Sequence, residues 1–192
     1  MAPKMIVVAG PPGGGKSTLF PVVSFGVACF NADDRAAELN GASYAGIPTY
    51  IRSAAKREFE VFVLECIERR ASFPIETTLR SGVTFDQAER AKMAGFTTEM
   101  RYLALRDFSM HAERVKSRAD AGGHSASEAA LREIYLRSLA HLPKAIDSMD
   151  DLWAYDNSAA GGPPRLVLQS EKGVIRFLAN DWPGWLAGLD LS

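Results

Sequence analysis

Met5-Ile6-Val7-Val8-Ala9 is apolar without a break and stops at Gly10, the pattern of a strand buried on both faces of a parallel sheet. Behind it, Pro21 limits the first helix to a short piece, and Gly26 marks a turn. Val27-Ala28-Cys29-Phe30 then reads as a second buried strand ending in Asn31-Ala32-Asp33-Asp34, with a helix over 35–39 and a loop over 40–50. From Ile51 to Arg70 the period changes: Phe59, Phe62, Val63, Cys66 and Ile67 form one helical stripe, opposite Lys56, Arg57, Glu60 and Arg69. Phe73 to Thr78 predicts a third strand, with Pro74 tolerated near its start. Thr84 and Gln87 have capping-box spacing for a helix through Met93 that Gly95 closes. A fourth strand follows from Phe96 to Leu105, then helices over 110–118 and from Ser125 to His141, where Pro143 stops the chain turning. Ser125 with Glu128 would cap the second of these. Leu152 to Tyr155 reads as a fifth strand. Arg165–Gln169 and Val174–Leu178 flank Glu171-Lys172-Gly173 as a hairpin, and Trp182 and Trp185 form a packed cover. Strand and helix at this rhythm imply right-handed crossovers. The expected fold is α/β, a parallel sheet of about five strands flanked by helices, with a C-terminal hairpin at one edge.

The 192 residues suit one domain. The first apolar run is far shorter than the ~20 residues a membrane span requires, so the cytoplasm is the expected compartment. Cys29 and Cys66 lack metal-ligand spacing and read as buried small hydrophobes. A net charge of −1, from 22 basic and 23 acidic residues, supplies no global field to attract nucleic acid.

Gly10 to Ser17, GPPGGGKS, changes the picture. A glycine, four residues, then Gly-Lys-Ser after a strand is the pattern of a phosphate-binding loop. Backbone amides curl around nucleotide phosphates there, and the helix start adds partial positive charge. Pro11 and Pro12 carry no N–H, so the cradle falls to the amides of Gly13, Gly14, Gly15, Lys16, Ser17 and Thr18. Lys16 would bridge the phosphates and the Ser17 hydroxyl would hold Mg²⁺. Ligands of open α/β sheets bind beyond the carboxyl ends of the strands, so Asp33 and Asp34 face the same crevice. Asp33 is assigned to the chemistry and Asp34 to helix capping. Two arginine-bearing helices joined by Gly122-Gly123-His124 have the form of a phosphotransferase lid, which excludes water and brings guanidinium groups to the transferred phosphoryl. Arg114, Arg118 and Arg137 are its candidates. His124 reads as a hinge or capping group, since a carboxylate already serves as base.

From Lys4 to Ser158 the landmarks resemble the zeta-toxin-like small-molecule kinases of the P-loop superfamily. The resemblance rests on GPPGGGKST at 10–18, FNADD at 30–34, FPIETTLRSG at 73–82, Arg114-Val115, GGH at 122–124, YLRSL at 135–139 and YDNS at 155–158. It implies phosphorylation of a hydroxyl from ATP, in some members GTP, with Mg²⁺. The acceptor would be a nucleotide sugar such as UDP-N-acetylglucosamine, and a separate antitoxin protein would be the partner. By the same resemblance Asp33 is the base, Lys16 the phosphate bridge, Ser17 the metal ligand and Arg118 a lid arginine. Glu76 holds the acceptor, with Thr77 and Thr78 beside it. Glu133 and Ile134 stand where the family often has paired arginines, and Ser125, Ala126 and Ser127 where it has aspartate, valine and proline, so this lid carries less positive charge. Two other readings stay open: a nucleic-acid 5′-hydroxyl kinase, which the charge disfavours, and an ATP-driven switch that transfers nothing, which has no need of a carboxylate at Asp33.

Overall fold

In the computed structural model, which describes residues 2–44, 46–120, 127–159 and 161–188, strands and helices alternate along most of the chain. They are β1 (Lys4–Ala9), α1 (Lys16–Leu19), α2 (Ala32–Leu39), α3 (Thr49–Glu68), β2 (Phe73–Thr77), α4 (Val83–Met93), β3 (Thr97–Ala104), α5 (Phe108–Asp120), α6 (Glu128–Ala140), α7 (Leu142–Ser148), β4 (Asp151–Asp156), β5 (Arg165–Glu171), β6 (Val174–Leu178) and α8 (Gly184–Ala187). The sheet runs β2-β1-β3-β4-β5-β6. Its first four strands are parallel, and β5 and β6 add an antiparallel hairpin on the β4 side. The mixed α/β architecture and the edge hairpin are as the sequence predicts. Pro74 fits because β2 is an edge strand, paired only to β1.

The two faces of the sheet are covered differently. On one, Met5, Val7, Phe73, Ile75, Met100, Tyr102 and Leu152 join Val63 and Cys66 of α3, Phe85 and Ala88 of α4, Leu142 and Ile146 of α7, and Trp185 in a single core. On the other, Arg101 of β3 lies among the rings of Phe20, Phe25 and Trp153, its guanidinium carbon 5.6, 5.2 and 5.5 Å from their centroids. No helix among the described residues is long and apolar enough to cross a membrane.

Several local expectations are corrected. Val27–Phe30 is not a strand. After α1 the chain makes a 3-10 turn over Val22–Phe25, closed by Gly26 at φ 68°, and Phe30 lays its ring on Phe59 and Phe62 of α3, with centroids 6.0 and 5.7 Å apart. The end of the short apolar run covers a helix, and the sheet edge goes to β2. Cys29 is consequently half-buried, while Cys66 is buried. Thr84 and Gln87 are buried within α4, whose cap is Gly82 without a side-chain bond, so they form no capping box. Asn31, not Asp34, caps α2: its Oδ1 accepts from the amides of Asp33 and Asp34, while Asp34 accepts from the Tyr44 hydroxyl. The helix before Pro143 does end at Ala140, with His141 as its cap, and Pro143 lies in the first turn of a new helix, α7, as its fixed φ permits. Ser127 caps α6 through the Ala130 amide; the expected cap Ser125 and the hinge 122–124 lie outside the described residues. Trp185 is buried, whereas Trp182 is exposed.

Candidate active site at the carboxyl ends of the strands

The loop from Gly10 to Gly15 leaves β1 and runs directly into α1. Gly10 and Gly14 pack against the Leu103 carbonyl of β3. Gly15 has φ 95°, and a Cβ there would stand 2.4 Å from Asn157 Nδ2, so only glycine fits. The amides of Gly14 and Thr18 are turned onto Pro11 O and Gly15 O, which takes two of the six expected cradle donors into the loop's own turns. Lys16 and Ser17 open α1, so their amides have no intrahelical acceptor.

Lys16 is buried, and its Nζ donates to Gly10 O at 2.9 Å and Pro11 O at 3.1 Å. Burial pushes its ammonium down to about 8. Glu76 works against that shift, Arg118 adds to it and Asp33 opposes it. The charges of Glu76, Arg118 and Asp33 thus all act on the lysine. Asp33 lies exposed in the first turn of α2. Arg118 is exposed near the end of α5. Glu76, at the end of β2, accepts from Ser17 Oγ at 2.9 Å through Oε2. A hydroxyl and a carboxylate side by side are hard oxygen donors, so this pair fits Mg²⁺.

Other candidates have different partners. Arg114 Nη2 donates to Asn157 O at 3.0 Å. Thr77 Oγ1 accepts from the Leu79 amide at 3.1 Å, holding a tight turn in which Leu79 adopts φ 55° and Thr78 is half-buried. Arg137 pairs with Glu133 at 2.9 Å and lines a cleft of ≈ 290 Å³ with Arg80, Ala130 and Ile134. It is not brought to Lys16.

Two residues at the loop carry no role in the sequence reading. His111, 3% exposed, pairs its Nδ1 with Pro12 O at 2.7 Å and accepts from the Leu105 amide at Nε2 at 2.9 Å. Asn157 Nδ2 donates to Gly14 O at 3.0 Å. Asn157 falls within the YDNS that carries the resemblance, without a role of its own; His111 and Pro12 are 99 residues apart, and nothing in the spacing joins them.

No family model matches the chain, and no curated protein does. Solved structures do. A chain of the AvrRxo1-ORF1:ORF2 complex with ATP superposes with TM-score 0.69 at 16% identity, over 90% of this chain and 60% of that one. A chain of the PezAT chromosomal toxin–antitoxin system of Streptococcus pneumoniae gives 0.63 at 16%, over 95% and 79%. One from the Pnkp1/Rnl/Hen1 RNA repair complex gives 0.58 at 17%, over 74% and 46%. This chain shares the α/β fold of these structures. It spans about 60% of the length of the AvrRxo1-ORF1:ORF2 chain it matches. In a fold of this kind, a glycine-rich loop between β1 and α1 lies where strand ends meet ligand, which is where the charged cluster is found.

Proposed function

We propose that the chain is an ATP-dependent phosphotransferase that moves the γ-phosphate to a hydroxyl of a small molecule, foremost a nucleotide sugar such as UDP-N-acetylglucosamine. The observation that carries the reading is the buried Lys16 with Asp33, Glu76 and Arg118 all acting on its charge. In that reading the acceptor hydroxyl gives its proton to Asp33 as its oxygen bonds to the γ-phosphorus. The bond from that phosphorus to the β,γ-bridging oxygen breaks, releasing ADP. Such transfer needs positioning and neutralisation of charge more than covalent help. Lys16 supplies a dry positive charge inside the loop, and Arg118 supplies another from the helix above. Ser17 and Glu76 would hold Mg²⁺, which supplies charge neutralisation at the phosphate oxygens. Glu76 bonded to Ser17 moves this carboxylate toward the nucleotide side, so its duty is shared between metal and acceptor.

The ATP in the AvrRxo1-ORF1:ORF2 structure supports ATP as donor, and the PezAT likeness supports a separate antitoxin as partner. Incubating the protein with γ-labelled ATP and Mg²⁺ against UDP-N-acetylglucosamine, other hydroxyl metabolites and a 5′-hydroxyl oligonucleotide tests the proposal. Label on the nucleotide sugar is expected. Label on the oligonucleotide alone would replace the acceptor class, and hydrolysis without acceptor-dependent transfer would remove the kinase reading.

A further inference from the structure

We infer that His111, together with Asn157, is a positioning residue that aims the phosphate-loop amides, a role resting on the phosphotransferase reading above. The geometry of the peptide unit links each loop carbonyl to the amide that follows it. Because the unit is planar and trans, its C=O and N–H point in opposite directions, so whatever holds a loop carbonyl outward turns the following N–H inward. His111 holds Pro12 O and thereby sets the direction of the Gly13 N–H. Asn157 holds Gly14 O and sets that of Gly15.

The imidazole can do this in one form only. Pro12 O can only accept and the Leu105 N–H can only donate, so the ring must be neutral with its proton on Nδ1. Burial holds the ring in that neutral form. The ring also contacts Tyr135 of α6, with centroids 5.2 Å apart, and Tyr135 in turn meets Phe108 at the start of α5, at 5.6 Å. One side chain of α5 therefore touches the end of β3, the loop and α6. Helix α5 comes so close to the loop that a Cβ on Gly13 would lie 2.7 Å from the His111 carbonyl oxygen. One turn on, Arg114 bonds the Asn157 carbonyl and completes a second tie between α5, the β4 loop and the cradle.

Two substitutions divide the imidazole's work. In His111→Gln the longer amide reaches the Nε2 position, so it can accept from Leu105 but loses the donor to Pro12 O. In His111→Asn the amide nitrogen stands near Nδ1, so it keeps that donor and loses the acceptor. The measurements are amide exchange of Gly10 and Gly13 to Gly15 in the nucleotide-free protein, ADP and ATP affinity by calorimetry, and Tm. His111→Gln is expected to speed exchange in the loop and weaken nucleotide about tenfold, the effect of losing one well-placed buried hydrogen bond. His111→Asn is expected to lower Tm while holding nucleotide affinity within about threefold of wild type. Equal loss of Tm in both variants, with loop exchange and affinity unchanged, overturns the inference. Faster loop exchange in His111→Gln in a protein whose wild type binds no nucleotide supports the tie and removes the phosphotransferase reading instead.

Discussion

The two sides of the crevice are built to different standards. On the nucleotide side, Lys16 and His111 are 6% and 3% exposed, and the loop is held by residues 99 and 143 positions away. On the proposed acceptor side, Asp33 is exposed. Asp33 rides on α2, whose Ala36 and Ala37 pack with Ile47, Ile51 and Ala55 in a small cluster separate from the main core. Salt bridges from Arg35 to Glu58 and Glu38 fasten α2 further, yet exposed ion pairs hold weakly. On the proposed reading, the phosphate loop is held by buried groups before any ligand arrives, whereas the base sits on an element with little burial behind it. A preorganised cradle suits a phosphate chain, whose charge must be met without reorganisation at the moment of transfer.

Lys16→Ala should break the nucleotide side outright. Transfer should fall about a thousandfold or more, the scale of removing one aligned transition-state charge, and ATP affinity should fall with it. Steady-state transfer and calorimetry read the two losses together. A loss of transfer with ATP affinity intact would move Lys16 out of the ground-state cradle.

Glu76→Gln sharpens the boundary between the sides. With the carboxylate gone from Ser17, the Mg²⁺ concentration for half-maximal transfer should rise about tenfold, as when a carboxylate supporting a metal ligand is removed. If instead only the acceptor KM rises, Glu76 belongs wholly to the acceptor.

Acid should loosen the nucleotide side first. Burial takes His111 from 6.5 down to about 4, so as pH falls below about 6.5 the unfolded chain takes up its proton before the folded one. Stability from this residue is complete above about 6.5 and is lost progressively toward 4. It amounts to about 3 kcal/mol at about 1.4 kcal/mol per pH unit. Denaturant midpoints between pH 7 and 4.5 should fall less steeply in His111→Gln than in wild type, and parallel profiles would contradict the burial account.

Arg137→Ala should have the smallest effect. With Arg137 paired to Glu133 away from Lys16, ATP affinity should change less than about twofold, the scale expected for an exposed pair. Its calorimetric titration beside that of Lys16→Ala is the check. A large loss would show that Arg137 reaches the phosphates once nucleotide is bound.

How far the sequence led follows the same division. The loop, β1, β3, β4 and the hairpin were legible because each is a contiguous signal: an apolar run ending at glycine, or two runs around Lys172-Gly173. Residues 27–30 misled because a four-residue apolar run looks alike whether it enters a sheet or covers a helix. Thr84 and Gln87 matched a capping box by spacing, but burial of both side chains in α4 outweighed the cap. Asp33, Glu76 and Arg118 could be named one by one at strand and helix ends, whereas their shared action on Lys16 required the fold. His111 was illegible because its meaning lies in a carbonyl 99 residues away.

The central claim, a fixed nucleotide side serving a separate base on α2, is tested most directly by Asp33→Asn at saturating ATP, with calorimetric ATP affinity and labelled transfer measured on the same preparation. Affinity is expected within about twofold of wild type and transfer reduced by about a hundredfold or more, the contribution of a general base. Wild-type transfer in Asp33→Asn, or a parallel collapse of affinity and transfer, would contradict it.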